Sequence, residues 1–310
     1  MQISKSFPHE LISPDRMLLN QDRQLRQQML DIWAELLDMR YDSELLKKLV
    51  MRYASAEKRI RKLHSQLSED VAAAAAIQQT LLPSILPESD RMQAAWKFQP
   101  CDAVGGDIIG LTALDENRWG CYVLDVAGHG PRAAMITISV AQFLKPSSAI
   151  DMFSPPKVMD ALEEEFPFTR FGSFFTILYG VLDLRKQMFS FCNAGHPYPM
   201  LARPGADPEM IAGHDAMLGL GIKEPRNEMR ADISDGGRLL LYTDGLTECV
   251  APDGSFYGEE RLMRSLAANL DQSAAVAADA VFDAARAFAA GTSYKDDFTM
   301  LLLQSSDQRA

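Results

Sequence analysis

The sequence predicts an α+β domain of layered sheets and helices, preceded by a helical extension. Three features predict it. From Met92 onward, short runs rich in aromatic and β-branched residues alternate with pairs of helix-length segments. That order suits antiparallel layers better than a doubly wound parallel sheet. Before that point apolar residues recur at steps of three and four, the spacing of a coiled-coil seam. Pro83 and Pro87 separate the two textures, which divides the chain into residues 1–82, a helical regulatory or dimerisation segment, and residues 83–310.

Each element follows from a local signal. The first twenty or so residues read as a loose tail. Leu25, Met29, Ile32, Leu36 and Met39 form one helical stripe, and Leu46, Leu49, Tyr53, Ala56, Ile60, Leu63 and Leu67 form a longer one. The second helix runs on through Ala72 to Ala76 and is expected to stop at Leu82, because the residue before a proline avoids helical geometry. Strands are expected at Ala94 to Gln99 and Arg118 to Val126, then a helix from Pro131 to Leu144 and another from Pro156 to Phe166. Phe174 to Leu184 and Gln187 to Asn193 flank Arg185-Lys186, which suggests a hairpin closed by two residues of poor turn chemistry. Arg238 to Thr243 reads as a buried strand. Helices near Glu259 to Asn269 and Ala274 to Ala289 follow, and Phe298 to Gln304 closes the domain as a strand.

The totals restrict function. In 310 residues with a 47% apolar share, a sizeable core is available. A net charge of -11 argues against nucleic acid or an anionic membrane as partner, since phosphate-binding surfaces need clustered Lys and Arg. No run is long and apolar enough to span a bilayer, and MQISKSFPHE lacks a secretory pattern, so a cytoplasmic protein is expected. Cys101, Cys121, Cys192 and Cys249 are far apart and read as free buried thiols. The five histidines form no zinc signature.

Aspartates carry the candidate chemistry. Asp125 ends Tyr122-Val123-Leu124, Asp244 ends Leu240-Leu241-Tyr242-Thr243 before Gly245, and Asp107 follows Gly105-Gly106 and leads into Ile108-Ile109. Asp296 and Asp297 open the last strand. Strand ends hold carboxylates rigidly, and glycine lets backbone and water approach. Carboxylates gathered in one place repel one another unless cations are present, and hard oxygen ligands suit Mg²⁺ or Mn²⁺. Spacing alone leaves an ordinary strand-end turn open as the reading of each site.

Six blocks in order resemble the metal-dependent protein serine/threonine phosphatases, in their bacterial SpoIIE/RsbU-like branch. They are Ala76-Ile77-Gln78-Gln79-Thr80-Leu81-Leu82-Pro83; Val104-Gly105-Gly106-Asp107 after Pro100; Asp125-Val126-Ala127-Gly128-His129-Gly130 with Ala133-Ala134; Asn193-Ala194-Gly195-His196-Pro197; Thr243-Asp244-Gly245-Leu246-Thr247-Glu248; and Asp296-Asp297-Phe298-Thr299. The resemblance implies a four-layer α/β/β/α sandwich that removes phosphate from phosphoserine or phosphothreonine with two Mn²⁺ or Mg²⁺ ions. It implies that Asp125 bridges the metals with the Val126 carbonyl as a further ligand. Asp244 and Asp296 would hold the second metal, and Asp107 would reach the first. Asp125 and Asp244 would be catalytic through metal-activated water. Asp297, Gly105 and Gly106 would support the ligands from behind. It also implies a phosphorylated anti-sigma-factor antagonist as substrate in a partner-switching pathway.

Two departures accompany it. Ala127 stands where the family usually has Ser. His129 is near the place of the proton donor of animal relatives but out of register, so it is either an acid or a structural turn residue, and no phosphate-holding Arg is identified. His196, between Gly195 and Pro197, reads as a turn-packing residue. A cyclic-dinucleotide cyclase, suggested by Val-Gly-Gly-Asp, is excluded by the apolar Ile108-Ile109 that follows. Between Arg40 and Leu63 eight Lys or Arg face three Asp or Glu. This arm is expected to pair with a second copy as a homodimer or to act as a switch. The rival reading is a catalytically silent phosphatase-fold protein that binds a partner.

Overall fold

The computed structural model of the chain describes residues 27, 31, 43–87, 92–146, 150–290, 292 and 295–306. The chain divides into two compact units, Met1–Ser68 and Glu69–Ala310. The expected tail and the Leu25–Met39 stripe lie outside the described residues. Helix α1 spans Ser43–Gln79, and along it Leu49, Tyr53, Ile60, Leu63 and Leu67 are all exposed. Their spacing gives an apolar stripe along the helix. The helix ends three residues before the expected Leu82, at a turn where Thr80 Oγ1 donates to the Ile77 carbonyl.

The larger unit contains two five-stranded sheets. One has the order β1 (Met92–Gln99), β10 (Phe298–Ser305), β9 (Arg238–Tyr242), β6 (Met200–Ala202), β7 (Glu209–Met210). The other has the order β2 (Asp107–Ala113), β3 (Arg118–Val126), β4 (Phe175–Asp183), β5 (Met188–Ala194), β8 (Met229–Asp232). All pairings within the two sheets are antiparallel. The helices are α2 (Pro131–Phe143), α3 (Pro155–Glu165), the single turn α4 (Phe168–Phe171), α5 (Gly258–Ala267) and α6 (Ala274–Phe288).

Period-two alternation explains the layering. Cys121 and Val123 of β3 join Leu239, Leu241, Leu301 and Leu303 in a core between the sheets. Their neighbours Tyr122, Leu124 and Val126 face the other way, onto Ile136, Val140, Val158 and Leu162 of α2 and α3. Leu240, Tyr242, Met300 and Leu302 likewise face Leu262, Leu266, Val281 and Phe282 of α5 and α6. Both sheets are therefore covered on both faces, as the near-continuous apolar runs in β3, β9 and β10 require. The result is the expected α/β/β/α sandwich.

Two sequence expectations change. Asp183 pairs with Met188, so the hairpin connection is four residues, Leu184 to Gln187, rather than two. Asp183 Oδ1 accepts from the Arg185 and Lys186 amides and Gln187 takes φ 53, which supplies the bend that Arg-Lys chemistry does not. Second, the stretch 195–237 holds β6, β7 and β8, none of which its Gly- and Pro-rich sequence signals.

Candidate active site

Strand parity brings the aspartates to one end of the inter-sheet layer. Asp107 and Asp125 are direct cross-strand partners on β2 and β3. Each is an even number of residues from inward-facing neighbours, Ile109 and Val123, so both carboxylates lie on the inter-sheet side. From the facing sheet, Thr243 and Asp244 follow β9, and Asp296 and Asp297 precede β10. Asp107 is buried, Asp125 and Asp244 are half-buried, and Asp296 is exposed at the rim.

Asp297 is held by two backbone amides. Its Oδ1 accepts from the Cys101 amide at 2.7 Å and its Oδ2 from the Asp107 amide at 3.3 Å. It therefore ties the entry of β2 to the entry of β10. Gly105 allows this approach, because a Cβ there would stand 2.3 Å from Asp297 Oδ2. At Gly106 a Cβ would stand 2.8 Å from the Val126 carbonyl oxygen, which is thus kept open beside Asp125.

Three supporting residues lay within the quoted blocks without an assigned role. Thr243 Oγ1 donates to Asp107 Oδ2 at 2.7 Å across the two sheets. The buried Thr299 hydroxyl, which makes no hydrogen bond of ordinary geometry among the described residues, lies near enough to favour the ionised Asp107. Gln78, from the last turn of α1, is buried. Its Nε2 donates to the carbonyls of Gly105 at 2.9 Å and Asp107 at 3.3 Å, while its Oε1 accepts from the Gly105 amide at 3.2 Å. The parity of Thr243 with Leu241 and of Thr299 with Leu301 is the sequence signal that could have found the two threonines. Gln78 carries none, because its partners lie far along the chain.

The electrostatics are those of crowded anions. Burial, then Asp125 and Asp297, hold the Asp107 carboxyl well above the usual carboxylate range. Burial, then Asp244 and Asp296, push Asp125 up to about 7. Burial, then Asp296 and Glu248, push Asp244 up to about 6, and Asp296 is also raised, chiefly by burial. Each shift reflects first the cost of ionising a carboxylate away from water and then the repulsion of its neighbours. Among the described residues no three side chains of His, Cys, Asp or Glu are already closed around one point. The donor chemistry nevertheless fits hard divalent ions: several carboxylate oxygens, an open backbone carbonyl and glycines beside them.

The histidines separate. His129 is exposed between Gly128 and Gly130, both at positive φ, and its charge acts on Asp296. His196 is buried, its backbone clasped by the Asn193 side chain, and burial drives its imidazole down to about 3. It is thus a neutral packing residue. Cys121, Cys192 and Cys249 are free and buried, but Cys101 is only half-buried. Burial and then Asp297 push the Cys101 thiol up to about 12.

Residues 115–306 match the sequence model of the family described as Stage II sporulation protein E (SpoIIE). The chain belongs to this family. Among relatives of this SpoIIE-family chain, phosphoserine phosphatase RsbP of Bacillus subtilis is 30% identical over 171 residues, covering 53% of the chain and 41% of RsbP. Phosphoserine phosphatase RsbU of the same organism is 23% identical over 273 residues, covering 86% of the chain and 80% of RsbU. The chain thus spans less than half the length of RsbP but most of RsbU. Of solved structures, the SiaA-PP2C domain of Pseudomonas aeruginosa superposes with a TM-score of 0.69 at 18% identity, covering 78% of the chain and 98% of that domain. That likeness establishes the shared fold.

Proposed function

We propose that this SpoIIE-family chain is a divalent-metal-dependent phosphatase of phosphoserine or phosphothreonine in a protein substrate. The observation that carries the reading is the set of strand-end carboxylates that both sheets bring to one end of the inter-sheet layer, their affinity for protons raised by burial and then by one another. Such a set is electrostatically incomplete without cations. Asp125 with the Val126 carbonyl, Asp244, Asp296 and Asp107 would hold two Mn²⁺ or Mg²⁺ ions. Bound ions supply a lowered water pKa and neutralisation of phosphate charge. The protein's own residues fix the ligands: Asp297 anchors the Asp107 amide, Thr243 orients its carboxyl, and Gln78 holds the Gly105 backbone. The Cys101 thiol, at about 12, is not a thiolate at neutral pH, which argues against a cysteinyl phosphoenzyme and for direct attack by water.

RsbP and RsbU bear the name phosphoserine phosphatase, which supports the same substrate class here. We extend the reading to a phosphorylated anti-sigma-factor antagonist in partner switching. We place the chain in the cytoplasm; among the described residues no helix is long and apolar enough to cross a membrane. We divide the chain functionally into an arm at residues 1–82 and a catalytic domain at 83–310, with the exposed stripe of α1 pairing two copies. The decisive experiment is Mn²⁺-dependent hydrolysis of p-nitrophenyl phosphate and a phosphoserine peptide by the wild type and Asp244→Ala. Activity in the first and its loss in the second is expected; equal residual rates would sink the reading. The rival reading is a silent, partner-binding phosphatase fold. An inactive wild type that still binds a partner would support it.

A further inference from the structure

The cleft at the carboxylate centre extends beyond it. It measures about 330 Å³, and its lining includes Asp125 and Asp244 together with Tyr198, His214, Glu248 and Glu259. The Tyr198 hydroxyl lies 3.0 Å from His214 Nδ1 and the two ring centroids are 5.6 Å apart, so these side chains form one aromatic wall. That wall is anchored at the next residue: the Asp215 amide donates to the Asn193 carbonyl at 2.7 Å, and its carboxylate accepts from the Asn227 amide and side chain. Glu248 and Glu259 are exposed, and the charge of Glu248 reaches Asp244. No lysine or arginine is among the lining residues.

The charges do not balance. Two divalent ions would offset the four aspartates proposed as ligands, but Glu248 and Glu259 would remain, and a phosphoryl group adds more negative charge. A substrate segment entering this cleft is therefore favoured if it brings its own cation. We propose that the outer cleft receives a lysine or arginine side chain next to the phosphorylated residue. Glu248 and Glu259 pair with its charge, and the Tyr198–His214 wall packs along its stem. This proposal rests on the phosphatase reading and adds a substrate preference to it.

The test uses the full chain with Mn²⁺ and two synthetic phosphoserine peptides that differ only in carrying arginine or glutamate beside the phosphoserine. The arginine peptide is expected to have a kcat/KM about fivefold to tenfold higher at low salt, mostly through KM, with the gap shrinking as salt rises. Glu259→Lys is expected to abolish or invert the preference. Glu116→Lys, in the β2–β3 turn at the other end of those strands, is expected to keep it. Equal rates on the two peptides, or a preference untouched by Glu259→Lys, would overturn the proposal. p-Nitrophenyl phosphate is run alongside. Its hydrolysis without any peptide preference fails this proposal alone, whereas no hydrolysis of any substrate fails the phosphatase reading as well.

Discussion

At the scale of single residues, Asp107 depends on buried groups outside the proposed ligand set. Its carboxyl is buried, and Thr243 donates to it at 2.7 Å across the sheets. Thr243→Val keeps the shape and removes the donor. We expect Mn²⁺ affinity, read by calorimetric titration, to fall by about tenfold or more, as for other groups that orient metal ligands. Gln78 satisfies both backbone groups of Gly105. Gln78→Ala leaves a buried amide and carbonyl unpaired, which costs about 2 kcal/mol in chemical denaturation. An unchanged denaturation midpoint would show that water replaces the amide. Asp107, Asp125, Asp244, Asp296 and Asp297 were all legible in the sequence as candidates. Thr243, Thr299 and Gln78 were not given roles, because a hydroxyl or amide becomes informative only when its partner's position is known.

At the scale of elements, strands with long apolar runs are legible in the sequence and the irregular stretch 195–237 is not. β3 was expected at Arg118 to Val126, where it lies, because burial on both faces leaves a continuous apolar signature. β6, β7 and β8 are two to four residues long, too short for periodicity to register. Arg238, which opens β9, shows what an element boundary can require. It is fully buried, and its guanidinium donates to the Asn269 and Gln272 carbonyls between α5 and α6. Arg238→Met removes both charged donors, leaving the Asn269 carbonyl with the Gln272 amide and the Gln272 carbonyl with the Gln304 side chain, and should cost about 2 kcal/mol in a urea titration. Helix α1 supplies a second test. Ile60 is 67% exposed and Leu63 is 56% exposed, which is unfavourable for a stripe of this length in water. If the stripe pairs two copies, a combined Ile60→Asp and Leu63→Asp chain sediments as a monomer while the wild type sediments as a dimer. Identical sedimentation of the two would remove the dimer from the proposal.

At the scale of the whole molecule, two sheets each present carboxylates to the same end of the sandwich, and that arrangement sets a pH dependence. The folded chain raises Asp125 to about 7 and Asp244 to about 6, so it favours their protonated forms. Their contribution to stability is present below the ordinary carboxylate range and is lost as pH rises through 6 and 7. The metal-free Tm is therefore expected to fall between about pH 5 and pH 8. Added Mn²⁺ should reverse that fall, since a ligand of the folded state alone stabilises it, and Asp125→Asn should flatten the slope. A metal-free Tm that climbs over the same range would contradict the electrostatic account. The sequence by itself determined the layered α+β class, the helical arm, the order of the blocks and which aspartates to watch. These depend on local periodicity and on residue types at strand ends, which the chain displays along its length. Only the tertiary structure decided that Asp107 faces Asp125 across a strand pair, that Thr243 spans the sheets, and that the cleft beyond them is acidic. Those facts depend on register and on segments far apart in sequence, and a strand's register is fixed only when its face is buried against another layer.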